Sequence, residues 1–555
     1  MTQFLRTTRT DTAEVPLALD APPPVLDAPP PVLDAPPPVR AAVERPAGRA
    51  RQAQPRLLLN WFAAFGVIFV AVAAWTFASP LGSAPDEPAH LMRAASLVRG
   101  QLLGTPLADP TPAQESTVTV RVPQVFVNFA NDESCFQFRP TVPAGCQPPV
   151  TGSAKDVTAQ TYVGRYPPLY YFFVGLPTLV LASAKGIYAA RLVSGALSAA
   201  MLALAVTSLR RCRGAPLLGA GLALAVTPMA LYLAAAVNPS GLEISSGISA
   251  WVAAMVLCSL GPEEVSASGV GAAGISVIVL LLTRAASPLW ALCIGAAFLA
   301  LGTRGSWRAL LRRRVVRGWL VACAVAGVGA LAWDFAANPF LTEPGTPLPP
   351  GTNGQHLFVL ALERLDLVLT STIGFFGWMD TPSPALVIVA WLAALGAVLL
   401  VGVCLARRRR AAAVIGNLLA WAVLPVVLVM VEARQHGVLG QGRDFMALAV
   451  GIPVMAGVAA GERFGDRRSS LRLSAVIIGV LVVCQVVDFY GALRRNTVGT
   501  NGPLNAFATV ANGWHPPVSG VALLVIFALA MGAFAVVLVR ATVSQPAEDF
   551  TAPLY

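Results

Sequence analysis

Charged residues are scarce in this sequence. Asp, Glu, Lys and Arg make up 12% of its 555 residues, whereas an ordinary soluble domain has about 25%. Hydrophobic residues make up 56%, and the mean hydropathy is +0.67. This composition excludes a soluble enzyme, a disordered protein and a nucleic-acid-binding protein. Lysine is almost absent, since Lys155 and Lys185 are the only two, and the net charge of +11 therefore comes almost entirely from arginine.

Long apolar stretches recur from Leu57 to Val539, and a membrane helix needs roughly 20 such residues. We therefore predict an all-α fold, a polytopic transmembrane helical bundle of about 12 spans. The predicted spans are 57–79, 187–208, 215–236, 243–260, 269–283, 287–302, 318–337, 384–405, 411–431, 446–461, 472–491 and 519–539. Two further apolar stretches, 168–183 and 365–379, are ambiguous.

The arginine clusters decide how the ambiguous stretches are interpreted. Arginines near 210–213, 304–317, 407–410 and 463–472 share one side of the membrane only if neither stretch crosses it. Because Lys and Arg concentrate in cytoplasmic loops, that side is predicted to be cytoplasmic. Both stretches are then re-entrant or interfacial helices on the outer side of a bacterial plasma membrane, and both termini are cytoplasmic. Arg494 and Arg495 do not fit this distribution.

The predicted domain organisation follows from these spans. Residues 1–56 form a disordered, proline-rich cytoplasmic tail that contains three copies of LDAPPPV and acts as a spacer or as a docking arm. The transmembrane domain covers 57–540 and has two large extracytoplasmic loops, 80–186 and 338–383. Residues 541–555 form a cytoplasmic C-terminal tail. The basic charge indicates topology and contact with membrane lipids, and no nucleic-acid partner is expected.

Two of the eight cysteines, Cys135 and Cys146, lie in the first outer loop. An oxidising compartment allows a disulfide between them, and two free thiols are the alternative. The other six cysteines lie in or near spans without the spacing of metal ligands, and we interpret them as small apolar packing residues.

The first outer loop begins with the acidic motif Asp86-Glu87-Pro88-Ala89-His90. Pro88 suits the first turn of a helix, and apolar residues follow at helical spacing up to Leu102, which predicts an amphipathic juxtamembrane helix on the outer surface. One alternative is that Asp86 or Glu87 only caps this helix. Further along the loop, 117–129 is predicted to contain a strand, because polar and apolar residues alternate from Thr117.

Polar groups collect at the outer ends of the predicted spans. The ionisable residues found there are Arg191, Glu243, Arg284, Asp334 and Asp488. Polar breaks on the same side are 166–171, 238–241, 375–380, 441–445 and 514–517. Each alone is explained by snorkelling or by an interfacial aromatic belt. Together they predict an outward-facing polar cavity with cationic and anionic parts, because charges in lipid are costly and usually functional.

Such a cavity suits one kind of group transfer. A carboxylate at the membrane surface can take a proton from an alcohol, and guanidinium groups bind phosphate oxygens. Sugar transfer from a polyprenyl phosphate needs both at one interface, because the lipid tail stays in the bilayer while the sugar meets a water-borne acceptor.

Four motifs occur in order along the membrane region: 86–90 (DEPAH), 166–171 (YPPLYY), 238–241 (NPSG) and 441–445 (QGRDF). Over 57–540 they resemble a family of predicted bacterial multi-pass membrane proteins. That family is in turn similar to the GT-C superfamily of glycosyltransferases, in which an acidic residue of the first extracytoplasmic loop is the catalytic base. The chain departs from the family pattern at Asp444, Ser240 and Arg284, where Tyr, Asp and Lys are usual.

The resemblance implies a GT-C-type glycosyltransferase with an extracytoplasmic active site. Asp86 would be the base, with Glu87 as the second candidate, and Arg284 and Arg443 would bind the donor phosphate. The predicted acceptor pocket consists of His90, Tyr166, Tyr170, Asn238, Glu243, Gln441 and Asp444. The expected partners are a polyprenyl-phosphate sugar donor and a glycan, lipid or protein acceptor of the cell envelope.

No cofactor is expected to be required, and a divalent cation, Mg²⁺ or Mn²⁺, on Asp86, Glu87 and His90 is optional. Two other functions stay open. One is a transporter or a flippase for lipid-linked glycans, and the other is a non-enzymatic scaffold for envelope assembly.

Overall fold

A computed structural model describes residues 48–111, 114–132, 135–212, 215–339, 348, 351–438, 440–461, 466–511 and 513–543. The chain divides into two units, Met1–Ala53 and Gln54–Tyr555. All features below belong to the second unit, except that the first helix begins at Gly48. The predicted N-terminal and C-terminal tails lie outside the described residues, apart from the ends of the first and last helices, and they stay predictions.

Within these ranges, nine helices are long and apolar enough to cross a membrane. They are α1 (Gly48–Ala78), α6 (Ala184–Leu209), α9 (Pro239–Ser259), α13 (Arg314–Ala337), α16 (Ala385–Leu405), α17 (Arg408–His436), the continuous pair α18 (Gly442–Ala449) and α19 (Gly451–Gly461), α20 (Arg467–Val498) and α21 (Gly520–Val543). The prediction of a polytopic helical membrane protein is confirmed.

Two more predicted spans belong to bent helix pairs: 215–236 contains both helices of its pair, whereas 287–302 matches only the first helix of its pair. Helices α7 (Ala215–Ala225) and α8 (Pro228–Ala234) meet at 59°, because Pro228 starts a new helix that Thr227 caps. Helices α11 (Ser287–Leu301) and α12 (Arg304–Leu311) meet at 120°. Counting each pair as one span gives up to eleven in the described chain. The twelfth, α10 (Ala267–Leu281), has only 15 residues, so the total of 12 stays a prediction.

Both ambiguous stretches fold as short helices. The first contains α4 (Pro168–Gly175) and α5 (Pro177–Val180), and the second contains α15 (Leu365–Ile373), which follows α14 (Gly354–Glu363). At 1.5 Å per residue none of these helices is long enough to cross a bilayer. After α15, strand β4 (Phe375–Phe376) pairs antiparallel with β5 (Thr381–Pro382).

The segment between α1 and α6, which is predicted to be the first outer loop, contains a small antiparallel sheet in the order β1 (Thr105–Pro106), β2 (Val118–Pro123), β3 (Asp156–Thr161). Val118 lies opposite Thr161, and Pro123 lies opposite Asp156. The strand predicted over 117–129 is therefore right in its first half. It is wrong from Gln124 onward, where α3 (Gln124–Asp132) begins.

Helix α2 (Glu87–Leu97) exists where the acidic motif predicts it, but it does not lie on the surface. Every residue from Glu87 to Ser96 is buried, because the helix packs between α4, α3 and the sheet. Its polar side chains find partners inside. Arg93, for example, donates to the carbonyl oxygens of Leu102 (2.9 Å) and Tyr166 (3.0 Å). The helix is thus a rigid internal support for the residues at its N-terminus.

Cys135 and Cys146 form a disulfide, with their Cα atoms 6.1 Å apart. The loop that it closes is tied to the end of α20, because the Arg495 guanidinium donates to the Phe136 carbonyl (2.9 Å). Arg495 also donates to the Asp380 carboxylate (2.7 Å), between β4 and β5. Arg494 donates to backbone carbonyls of the loop after α20. These contacts explain the two arginines that do not fit the arginine distribution, since both have structural partners.

Candidate active site

Asp86 precedes α2 in a left-handed backbone conformation, with φ of 62°. This conformation turns its side chain away from the helix, and within the described chain the carboxylate makes no capping hydrogen bond. The capping alternative for Asp86 is therefore wrong. Its Oδ1 accepts a hydrogen bond from the Tyr162 hydroxyl and its Oδ2 accepts one from Arg443 Nη2, both at 2.6 Å.

Arg443 lies in the first turn of α18, 357 residues after Asp86 in the sequence. The preceding Gly442 is required by packing, because a Cβ there would lie 2.4 Å from the backbone nitrogen of Thr372 in α15. Asp444 stabilises the same turn by accepting from the backbone N–H of Gln441 at 3.3 Å. Arg443 Nε and Nη1 are buried and have no hydrogen-bond partner among the described residues. Arg443 therefore keeps unused donors beside Asp86.

Arg284 follows α10 and lies between two carboxylates. Its Nη1 donates to Glu243 Oε2 (2.9 Å) and its Nη2 donates to Asp444 Oδ1 (3.3 Å). Glu243 is fully buried in α9 and also accepts from the Ser287 hydroxyl (2.8 Å). The departure from the family pattern at Asp444 thus has a structural role, since Asp444 both stabilises α18 and holds Arg284.

These groups line one cavity. It encloses about 590 Å³ of space, part of it open to solvent. The lining residues are Asp86, His90, Tyr162, Val163, Tyr166, Asn238, Ser240, Arg284, Gln441, Arg443 and Asp444. The cavity therefore combines two carboxylates and two guanidinium groups with hydroxyl and amide groups. The convergence of Asp86, Arg284 and Arg443, which the sequence predicts, occurs in this structure.

Asn238 connects the cavity to the loop that carries Asp86. Its Nδ2 donates to the carbonyl of Pro85 (3.0 Å), and its Oδ1 accepts from the backbone N–H of Ser240 (2.9 Å), which caps α9. The NPSG motif therefore starts a helix and fixes the residue before Asp86.

Electrostatics keep Asp86 ionised. Burial alone would raise its pKa, but the nearby Arg443, His90 and Tyr162 outweigh this effect, and the pKa of Asp86 lies below its ordinary value of 3.8. Burial lowers the pKa of His90 to about 3. The positive charges of Arg443 and Arg284 lower it further, whereas the Asp86 carboxylate acts in the opposite direction. His90 Nδ1 shares a hydrogen bond with the Tyr171 hydroxyl (2.8 Å). At neutral pH the cavity therefore contains a carboxylate and a neutral imidazole.

Three predicted site residues lie outside the cavity lining. Glu87 is fully buried, and its carboxylate contacts Arg191 instead of the cavity, so it is not a second catalytic candidate. Tyr170 is a buried residue of α4 whose hydroxyl shares a hydrogen bond with Ser194 (2.9 Å), whereas the rings of Tyr166 and Tyr171 lie beside His90. Glu243 acts only behind Arg284. The structure therefore does not bring these three side chains to the cavity, and their predicted direct roles stay predictions without support from it.

The optional metal site has no support in its predicted ligands. Among the described residues, no group of three or more His, Cys, Asp or Glu side chains could hold a metal ion. Because Glu87 points toward Arg191, it cannot complete a ligand set with Asp86 and His90.

Sequence reasoning misses Tyr162 and Val163. Tyr162 directly follows β3, and its hydroxyl holds Asp86. Burial and the neighbouring Asp86 carboxylate raise the pKa of Tyr162 well above 10.0, so the phenol stays protonated and donates. The only available signal is its position four residues before the 166–171 motif.

Neutral, buried His90 predicts a loss of stability in mild acid. The ordinary pKa of 6.5 applies to the unfolded chain, whereas the pKa of folded His90 is about 3. Below pH 6.5 the unfolded state therefore binds more protons, and the free energy of unfolding falls by about 2 kcal/mol from pH 7 to pH 5. Thermal unfolding of the detergent-solubilised protein at the two pH values should show this loss.

A His90→Asn variant should remove most of that shift, whereas His356→Asn, which replaces an exposed histidine, should leave it unchanged. A full acid shift in His90→Asn would show that other groups cause it.

The sequence profile of a family described as "Predicted membrane protein (DUF2142)" matches residues 69–452, more than half of the chain. The chain belongs to this family. A search of curated protein sequences finds no significant match. Among solved structures, this chain is similar to two crystal structures of ArnT from Cupriavidus metallidurans. In one of them ArnT is bound to undecaprenyl phosphate, and in the other ArnT is in the apo state. In both cases the identity is 14%, and the match covers 89% of this chain and 78% of ArnT. The TM-scores are 0.36 and 0.39, and at this level the likeness supports no conclusion about function.

Proposed function

We propose that this protein is a membrane glycosyltransferase that moves a sugar from a polyprenyl-phosphate donor to an extracytoplasmic acceptor of the cell envelope, with Asp86 as general base. One observation carries the proposal. Ionised Asp86 and Arg443 contact each other at 2.6 Å in one cavity, and Arg443 keeps two buried nitrogens without partners. A proton acceptor and an unsatisfied phosphate-binding group are thus adjacent.

The proposed reaction assigns one step to each group. An acceptor hydroxyl attacks the anomeric carbon of the donor sugar, and the new C–O bond forms while the bond from carbon to phosphate oxygen breaks. The hydroxyl proton moves to Asp86, and the electron pair of the broken bond stays on the polyprenyl phosphate. Each carboxylate oxygen has more than one lone pair, so Asp86 can accept this proton while it stays bonded to Tyr162 and Arg443.

The departing phosphate needs positive charge that is already in place. Arg443 supplies it with its guanidinium group, which lies at the cavity and whose Nε and Nη1 have no other partner in the described chain. Arg284 is the second candidate, and Glu243 and Asp444 fix its orientation. A guanidinium group suits this role because it is always charged and binds phosphate oxygens directionally.

The position of the cavity suits the proposed donor. This cavity lies at helix ends, because Asn238 precedes α9, Arg284 follows α10 and Arg443 starts α18. Such a position suits a donor whose lipid tail stays in the bilayer.

Purified full-length protein in proteoliposomes tests the proposal. Polyprenyl-phosphate-linked hexoses and pentoses serve as donors, and envelope glycan, glycolipid and protein fractions serve as acceptors, without nucleotide sugars. We expect the sugar to be transferred and polyprenyl phosphate to be released. If intact donor crosses the bilayer and no polyprenyl phosphate is released, the protein is a flippase. If the donor is neither cleaved nor moved, and the protein binds other envelope proteins, the protein is a scaffold.

A further inference from the structure

Glu87 and Arg191 form an ion pair that the proposed chemistry does not use. Both side chains are completely buried. Arg191 donates from Nε to Oε1 and from Nη2 to Oε2 of Glu87, at 2.6 and 2.5 Å. Neither residue lines the cavity, yet Glu87 is the direct neighbour of Asp86 in the chain. This bidentate pair therefore lies immediately behind the cavity.

The pair joins four separate segments of the fold. Arg191, which belongs to α6, also donates to three carbonyl oxygens at the end of α1, those of Thr76 (3.1 Å), Ser79 (2.8 Å) and Pro80 (2.8 Å). Glu87 also accepts from two backbone N–H groups at 3.0 Å, those of Gly82 and Val237. The end of α1, the loop before α2, α6 and the link between α8 and α9 are thus fixed to each other.

Asp86 has a conformation that needs such support. A left-handed backbone is unfavourable for a residue with a Cβ, and it persists only where the surroundings determine it. The residue before Asp86 is fixed by Asn238, which bonds to the Pro85 carbonyl, and the residue after it is fixed through Glu87. Asp86 is thus held from both sides.

We infer that Glu87 and Arg191 are positioning residues that hold Asp86 in its left-handed conformation, with its carboxylate directed at Arg443 and the cavity. An ion pair suits this purpose, because bidentate hydrogen bonds fix direction as well as distance. Stability alone does not require it, since well-packed apolar residues often replace a buried ion pair without loss. The catalytic consequence rests on the proposed function, whereas the geometric role does not.

The main test is the double variant Glu87→Gln/Arg191→Met, which removes both charges and keeps similar volumes. We expect turnover to fall about 100-fold through misplacement of Asp86, with the KM for the donor within about threefold of the original. The acid limb of the pH profile should move to higher pH, because Asp86 loses contact with Arg443. Unchanged turnover and an unchanged acid limb in a folded variant would overturn the inference.

A second measurement does not depend on any activity. The energetic coupling between Asp86 and Arg443 is obtained from thermal midpoints of Asp86→Asn, Arg443→Gln and their combination. We expect clear coupling in the natural background and its loss in the Glu87→Gln/Arg191→Met background. Persistent coupling would overturn the inference even if turnover fell. If the natural protein transfers no sugar, the proposed function fails, and the coupling still decides whether Asp86 is positioned by this pair.

A matched control is the pair Asp380 and Arg495, whose side chains are also almost completely buried, at 5% and 3% exposure. Asp380→Asn/Arg495→Met should leave the coupling between Asp86 and Arg443 intact. If the coupling between Asp86 and Arg443 is also lost in this control, any loss of a buried ion pair has the same effect. That result would overturn the specific role of Glu87 and Arg191. If Glu87→Gln/Arg191→Met does not fold, Arg191→Lys replaces it, since lysine keeps the charge but not the bidentate geometry.

Discussion

An Asp86→Asn protein is expected to fold normally and to transfer sugar about 10²–10⁴-fold more slowly, which is the usual contribution of a general base. The substitution keeps the shape of the side chain and one oxygen that can accept from Tyr162. It removes the group that takes the acceptor proton, because an amide does not bind a proton at neutral pH. The rate of polyprenyl-phosphate release in proteoliposomes measures the effect.

The matched control is Asp109→Asn, which replaces an exposed carboxylate in the same segment between α1 and α6. It should transfer sugar at the original rate. Thermal midpoints of both variants separate a chemical defect from a folding defect, and the KM for the donor should change little in Asp86→Asn. Turnover within twofold of the original in a folded Asp86→Asn protein would show that Asp86 is not the base.

The pH dependence of the natural protein gives independent information on Asp86. Because its pKa is lowered from 3.8, Asp86 should lose its proton-accepting form only in strong acid. The same lowered pKa contributes stability that is present above the ordinary pKa and is lost as the pH falls through the lowered value. Activity should therefore show no acid limb from Asp86 between pH 5 and pH 8.

Sequence patterns suffice for much of the fold because the bilayer imposes simple rules. Apolar length identifies the helices, and every predicted span falls on a helix or on two successive helices, although α10 is short for a span. The same rules fail in the segment between α1 and α6. Helix α2 has the apolar spacing of a surface helix, but α3, α4 and the sheet pack around it and bury it, and no local pattern encodes those contacts.

In the candidate site, too, some features can be predicted from the sequence and others depend on tertiary contacts. The motifs identify Asp86 and Arg443, although 357 residues separate them, because both are charged residues at predicted outer helix ends. The sequence does not predict that Asp86 and Glu87 have different surroundings, because two adjacent carboxylates look equivalent. Owing to the left-handed backbone at Asp86, its carboxylate faces the cavity, whereas the Glu87 carboxylate binds Arg191. Tyr162 is missed because its role depends on where β3 ends.

An Arg443→Gln protein is expected to lose both donor binding and turnover. The guanidinium group is proposed to contact the phosphate in the bound donor and more strongly in the transition state, where the leaving phosphate gains charge. Removing one such donor typically lowers the rate about 10²–10³-fold. The loss of Arg443 also takes away the charge that lowers the pKa of Asp86, so the acid limb should move to higher pH.

Arg443→Lys distinguishes geometry from charge. Lysine keeps the positive charge, but one ammonium group cannot reproduce the guanidinium arrangement, in which Nη2 binds Asp86 while Nε and Nη1 have no partner in the described chain. We expect Arg443→Lys to restore the low acid limb but only a small part of the turnover. Arg121→Gln, an exposed substitution in the same outer loop as Asp86, is the control and should leave both quantities unchanged. Full turnover in Arg443→Lys would mean that charge alone suffices, and full turnover in Arg443→Gln would remove Arg443 from the phosphate site.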